Sequence, residues 1–307
     1  MLLLGSASAQ HSLYLSLGVS VPMEPDVLEE SKENKIILDS MLKTPKNMVF
    51  KELQEEKNEL LQSNESNATQ IALPKSSNKK MIFLTFDDGP LAGTSNVLKV
   101  IEKEKVPATL FMVSKHILMN KKIYKKAIKN PYVTVANHTY SHANGKYRKF
   151  YSNIKILSKD IKKGDKILSK DKKVAGLSCF HPLRLAGRNV FRLPGISCDD
   201  RGLGKKQCAK ERPKYDALEK EGFYIYGWDL EWHFNHRNGK PIGSVEKIVK
   251  KLENIYAKKR YKKKDKVILL MHDFMFRNRH KGQEKLVSLI HMLKKNGWTF
   301  AHLDEYI

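Results

Sequence analysis

From Met81 onward, short and almost wholly apolar runs alternate with amphipathic stretches, and several of the runs end in a polar cluster. This constrains the fold more than any other feature. MIFLTF (81–86), ATLFMV (108–113), YVTVAN (132–137), GFYIYGW (222–228) and KVILLMH (266–272) read as strands. Their continuous hydrophobicity is that of strands buried on both faces. Between them, Val97, Leu98 and Ile101 share one face of a helix that Thr94 is placed to cap. A Lys-rich helix follows the second strand, a long basic helix covers roughly 149–170, and another lies near 243–257. The last helix sets Leu286, Leu289, Ile290 and Leu293 on one stripe and stops at Asn296-Gly297. Strands alternating with helices imply an α/β domain with a largely parallel sheet or barrel, whose ligands sit at the carboxyl ends of the strands.

The first 80 residues differ in texture. They hold nine Lys against eleven Asp or Glu, a net charge of −2, whereas residues 81–307 hold 48 basic and 22 acidic residues, a net of +26. Residues 1–9, MLLLGSASA, resemble the end of a secretory signal, with Ala7-Ser8-Ala9 as the small-residue cleavage site, and suggest export to the periplasm or cell envelope. Residues 10–80 read as an extension with a helix over Phe50 to Gln62 and a Ser-, Asn- and Lys-rich linker from Gln62 to Lys80. No run of eighteen apolar residues marks a transmembrane helix. The basic excess lies in runs such as Lys121, Lys122, Lys125 and Lys126, or Lys258 to Lys264, which read first as solvated helix faces. They lack interleaved aromatics and any nucleic-acid motif, so no nucleic-acid partner is expected.

Five clusters carry chemistry. In Thr85 to Pro90, TFDDGP, the adjacent carboxylates Asp87 and Asp88 leave an apolar strand before a Gly-Pro turn. Two such charges need pairing or a metal, although the segment alone is equally an ordinary strand-end turn. In His138-Thr139-Tyr140-Ser141-His142, two histidines at i and i+4 share a face if a helix starts there. With a carboxylate they make an open three-ligand metal site, and without one they are two satisfied histidines. Arg192-Leu193-Pro194-Gly195 offers a guanidinium for a carboxylate and a backbone N–H for a ligand. Trp228-Asp229-Leu230-Glu231-Trp232 follows another strand, and His272 ends an apolar one, where a neutral imidazole needs a partner.

The order of these clusters resembles the polysaccharide deacetylase family, the NodB-homology domain of carbohydrate esterases (family 4-like), over about residues 81–307. TFDDGP matches that family's first motif, HTYSH its second, RLP its third, the tryptophan-rich acidic segment its fourth and Leu270-Met271-His272 its fifth. The resemblance implies a distorted (β/α) barrel of about seven parallel strands. It implies one divalent metal ion, zinc with cobalt, nickel or iron as alternatives, held by Asp88, His138 and His142. Asp87 is then the general base, Arg192 its orienting partner and His272 the general acid, with Glu231 or Asp229 as the carboxylate beside His272. Gly195 would supply an N–H to the oxyanion, and Trp228, Trp232 and Tyr140 are candidate sugar contacts. Trp228 and Trp232 are equally core candidates, and Arg188 competes with Arg192.

The implied substrate is an acetylated polysaccharide: N-acetylglucosamine units of peptidoglycan, poly-N-acetylglucosamine or a chitin-like chain. An O-deacetylase on the same machinery, or a glycan-binding protein on a dead scaffold, are the alternatives. In an oxidising compartment Cys198 and Cys208 could close a short loop, contributing about 2–3 kcal/mol, with two free thiols of a cytosolic protein as the alternative. Asn64, Asn67 and Asn137 open glycosylation triplets that read as chance matches.

Overall fold

A computed structural model describes residues 80–169 and 181–307. The expected signal remnant, the extension, its helix, the triplets at Asn64 and Asn67, and Cys179 lie outside the described residues.

Among the described residues, ten strands form one curled sheet. They are β1 (Met81–Asp87), β2 (Ala108–Met112), β3 (Val133–Asn137), β4 (His181–Leu183), β5 (Phe191–Leu193), β6 (Ile196–Cys198), β7 (Phe223–Ile225), β8 (Leu230–Glu231), β9 (Lys266–His272) and β10 (Thr299–Phe300). The order is β6-β5-β7-β4-β3-β2-β1-β9-β8, with β10 paired to the start of β1. The seven strands from β7 to β8 run parallel, as expected for a distorted barrel. Among the described strands only β5 runs against them, and β6, antiparallel to β5, runs with them again, so the sheet is an open half-barrel with β6 and β8 at its edges.

The helices are α1 (Thr94–Glu104), α2 (Ser114–Met119), α3 (Lys121–Lys129), α4 (Tyr147–Phe150), α5 (Ile154–Leu168), α6 (Lys205–Lys220), α7 (Val245–Ala257) and α8 (Gly282–Lys295). The side chain of Asn153 caps α5 by accepting from Lys155 N. Thr94 does not cap α1. Its hydroxyl instead accepts from Leu91 N and donates to the Asp273 carboxylate. The lysines of α3 at 121, 122, 125 and 126 are exposed, as a solvated face requires. Among the described residues, no helix is long and apolar enough to cross a membrane.

Strand alternation divides the core into two layers. Ile82, Leu84 and Phe86 of β1 face outward, with Val267, Leu269 and Met271 of β9, and pack under α1, α7 and α8. Phe83 and Ile268 face the barrel interior, where they meet Phe111, Ala136, Tyr226 and Tyr306. The interior floor is aromatic: Phe83 meets Tyr306 edge to face with centroids 5.2 Å apart. The same period of two puts Asp87, His138 and His272 above that floor, on the inner face.

Candidate active site

The site lies at the carboxyl ends of β1, β3 and β9. In the β1–β9 register Asp87 is directly opposite His272, so the two residues end neighbouring strands. Asp88 then takes a left-handed conformation with φ 76°, which turns its carboxylate back over the strand ends. His138 follows β3, and its Nδ1 is 2.8 Å from the Arg184 carbonyl. A protonated Nδ1 satisfies that oxygen, which leaves Nε2 as the ring nitrogen that faces Asp88.

HTYSH is not helical. Thr139 (φ 67°) and His142 (φ 49°) are left-handed, and a loop rather than helical spacing brings the two imidazoles to 4.9 Å between centroids. Asp88 Oδ1 is 3.1 Å from His142 Nε2 and 3.4 Å from His138 Nε2. One ligand atom from each of the three side chains lies within 4.8 Å of the other two. Asp88 Oδ1 is buried with no hydrogen-bond donor. An orphaned carboxylate oxygen facing two imidazole nitrogens is the donor set of an open divalent-metal site, and the residues fit such an ion. Burial alone would raise the Asp88 carboxyl, but His138, His142 and His272 outweigh it and hold it well below the carboxylate range. Burial and the neighbouring His138 push His142 down to about 4, which keeps it a neutral ligand. Tyr147 supports it, with its hydroxyl 3.3 Å from His142 Nδ1.

The arginine of the site is Arg184, not Arg192. Arg184 follows β4, is wholly buried, and donates from Nη1 to Asp87 Oδ1 at 2.9 Å and to Thr85 Oγ1 at 2.8 Å. Its other nitrogens donate to the carbonyls of Tyr226 and Gly227, and its plane lies over Phe111. Arg192 donates instead to Asp199 and Asp216, each at 2.7 Å. Arg192 alternates with Phe191 and Leu193, which face the barrel interior, so its side chain points outward to Asp216 of α6. Because β5 runs antiparallel to β7, its end at Leu193 and the following turn at Gly195 point to the amino ends of the parallel strands. Gly195 is therefore at the wrong end of the sheet to present an N–H to the site. Arg188 binds Glu211 through Nε and Nη2 and does not enter either.

Trp232 is core. It is fully buried, meets Phe276, and donates its indole N–H to Ile242 O. Trp228 is half-buried and edges the site, with its ring 5.9 Å from the Arg184 guanidinium carbon. Neither expected carboxylate reaches His272. Asp229 accepts from Ile268 N and Lys262 N, and Glu231 faces His233 at 3.3 Å. His272 Nδ1 is buried without a partner, its ring lies against Phe234, and its Nε2 is 4.0 Å from Asp88 Oδ2. Cys198 and Cys208 are free thiols, and Cys208 Sγ donates to Asp200 O at 3.0 Å, so the expected bridge is absent. Asn137 is buried and bonded to Ile161 O and Thr139 N, which leaves no room for a glycan.

Sequence reasoning missed Arg184, Tyr147 and His116, whose Nδ1 lies 2.6 Å from Asp88 O. The signal for Arg184 was present in His181-Pro182-Leu183-Arg184, a short apolar run ending in a cation.

The family model for polysaccharide deacetylase matches residues 74–174, the stretch that holds TFDDGP and HTYSH. Over that stretch, about a third of its length, the chain carries the features of the polysaccharide deacetylase family. Among its relatives is YheN of Bacillus subtilis (strain 168), proposed to be a polysaccharide deacetylase, 25% identical over 74% of this chain and 68% of that protein. A peptidoglycan-N-acetylglucosamine deacetylase of Bacillus cereus is 29% identical over 64% of this chain and 74% of its own. The fold matches the crystal structure of the catalytic domain of a peptidoglycan N-acetylglucosamine deacetylase from Eubacterium rectale, with a TM-score of 0.52 at 23% identity over 76% of this chain and 93% of that one.

Proposed function

We propose that the protein is a metal-dependent hydrolase that removes acetyl groups from N-acetylglucosamine units of an exported cell-wall or surface polysaccharide. The observation that carries this reading is the convergence of Asp88, His138 and His142 beside the Arg184-held carboxylate of Asp87 and, across the strand register, His272. The bacterial relatives named for N-acetylglucosamine chemistry support the amide substrate.

Asp88, His138 and His142 would hold one divalent ion, zinc with cobalt, nickel or iron as alternatives. Such an ion makes water acidic at neutral pH and polarises the acetyl carbonyl. The remaining roles belong to the chain. Arg184 fixes Asp87 Oδ1, which leaves Oδ2 free, 3.6 Å from His138 Nε2, to accept the proton of the attacking water. The Arg184 guanidinium also balances the Asp87 charge in a site from which water is largely excluded. His272, on the other side of Asp88, would give its Nε2 proton to the leaving amine. Trp228 and Tyr140 remain sugar contacts in this reading, with Tyr140 between the two histidine ligands.

The test is acetate release by the metal-loaded protein from peptidoglycan, N-acetylglucosamine oligomers and O-acetylated xylan. Release from the N-acetyl substrates, abolished in Asp87→Asn and His138→Ala, is expected. Release from xylan alone would make the protein an esterase. Glycan binding with no release from any substrate would leave a binding protein.

A further inference from the structure

A second feature borders the site. A groove of about 630 Å³ runs along α5 and the loop that carries the histidine ligands. Its walls present Lys115, Lys146, Lys149, Lys159 and Lys163 against a single carboxylate, Asp160. That carboxylate is already engaged, because its Oδ1 accepts from the backbone N–H groups of Tyr140 and Ser141. The positive charge of the groove is therefore uncompensated from within.

Tyr140 is half-buried in the groove, with Lys163 Nζ 3.7 Å above its ring centroid and Lys115 Nζ at 5.8 Å on the same residue. The Lys163 ammonium held against the Tyr140 ring, with Lys115 beside it, presents fixed positive charge that suits a sugar carrying anionic substituents. The groove is continuous with the metal-ligand loop: Tyr140, Ser141, Ala143 and Asn144 line it, and His142 lies between them in the chain. Five lysines kept around one concavity repel one another, and a polyanion relieves that repulsion.

We propose that this groove is a subsite for an acidic polysaccharide, one that bears carboxylate or phosphodiester groups further along the strand from the acetylated sugar. The inference rests on the deacetylase reading for its choice of a polysaccharide, and it specifies the substrate as anionic rather than neutral.

The experiment measures binding of the full-length, metal-loaded protein to four probes by calorimetry. They are a neutral N-acetylglucosamine oligomer, an alternating glucuronic acid and N-acetylglucosamine polymer, a phosphodiester-linked N-acetylhexosamine polymer, and a single-stranded oligonucleotide. One variant replaces Lys146, Lys149, Lys159 and Lys163 with Gln. A second, matched in charge, replaces Lys121, Lys122, Lys125 and Lys126 on α3. The expected result is that at least one acidic glycan binds more tightly than the neutral oligomer. Its Kd should rise about tenfold or more in the groove variant only. Which acidic glycan responds separates carboxylate from phosphodiester recognition. Equal losses in both variants, wild-type affinity in the groove variant, or tighter binding of the oligonucleotide through the groove would each overturn the proposal. Acetate release from the neutral oligomer reports separately on the catalytic reading, so either idea can fail without the other.

Discussion

Two arginines stand in nearly the same local context, Arg184-Leu185-Ala186 and Arg192-Leu193-Pro194, yet only the first meets Asp87. Arg184 is fully buried, so Arg184→Met would strand the Asp87 carboxylate and cost about 3–5 kcal/mol, read by urea unfolding. Arg184→Lys keeps the charge but loses the fork that reaches Thr85, Asp87, Tyr226 and Gly227. It should lower kcat/KM for acetate release about a hundredfold, whereas Arg192→Lys should change it less than about threefold. Equal losses in the two lysine variants would return the orienting role to Arg192. A third residue-scale expectation concerns Asp229. Burial, only partly offset by N–H donation from Ile268 and Lys262, pushes its carboxyl from 3.8 up to about 6. The folded state therefore keeps the proton longer than the unfolded chain does. The stability this group contributes is complete below pH about 4 and lost as pH rises through about 6. Melting curves between pH 3.5 and 7.5 should show that decline in the wild type, and the difference from Asp229→Asn should isolate it.

At the scale of elements, α5 sits unusually close to the ligand loop. A Cβ on Gly164, in the middle of α5, would come within 2.9 Å of Asn137 Oδ1 and 3.1 Å of the Thr139 and Tyr140 backbone. Helix propensity favours Ala there, but this contact decides otherwise. Gly164→Ala should therefore cost about 1–3 kcal/mol and shift the loop that carries His138 and His142. A fall of about tenfold or more in zinc affinity would be its signature, measured by competition with a chromogenic chelator. Unchanged affinity in a stably folded variant would show that the loop is held independently of α5.

Across the whole molecule, the three ligands come from the ends of β1 and β3, which β2 separates. An ion there joins segments far apart in the chain and binds only the folded state. Removing it with a chelator should lower the Tm by about 10 °C at metal concentrations near a thousand times Kd, and abolish acetate release. Added zinc should restore both. A Tm indifferent to chelation would argue against a metal in this site.

How far the sequence could be read follows from what each feature depends on. Continuous apolar runs and period-two alternation are local, so the long strands, the parallel class, and Asp87, His138 and His272 at strand ends were legible. Strands of two or three residues, such as β4, β5 and β8, have no periodicity to detect. With them went the placement of Arg192, Gly195 and Trp232. The helical reading of HTYSH failed for a related reason: left-handed turns at Thr139 and His142 are held by Asp160 and Asn137, contacts that the pentapeptide does not reveal. By itself the sequence determined which side chains have the chemistry and at which strand ends they emerge. The tertiary structure alone decided which arginine meets Asp87 across 97 residues of chain, and which tryptophan is core. It also left His272 Nδ1 without a carboxylate. Those outcomes depend on which way short strands face and on long-range packing, and no local pattern encodes either.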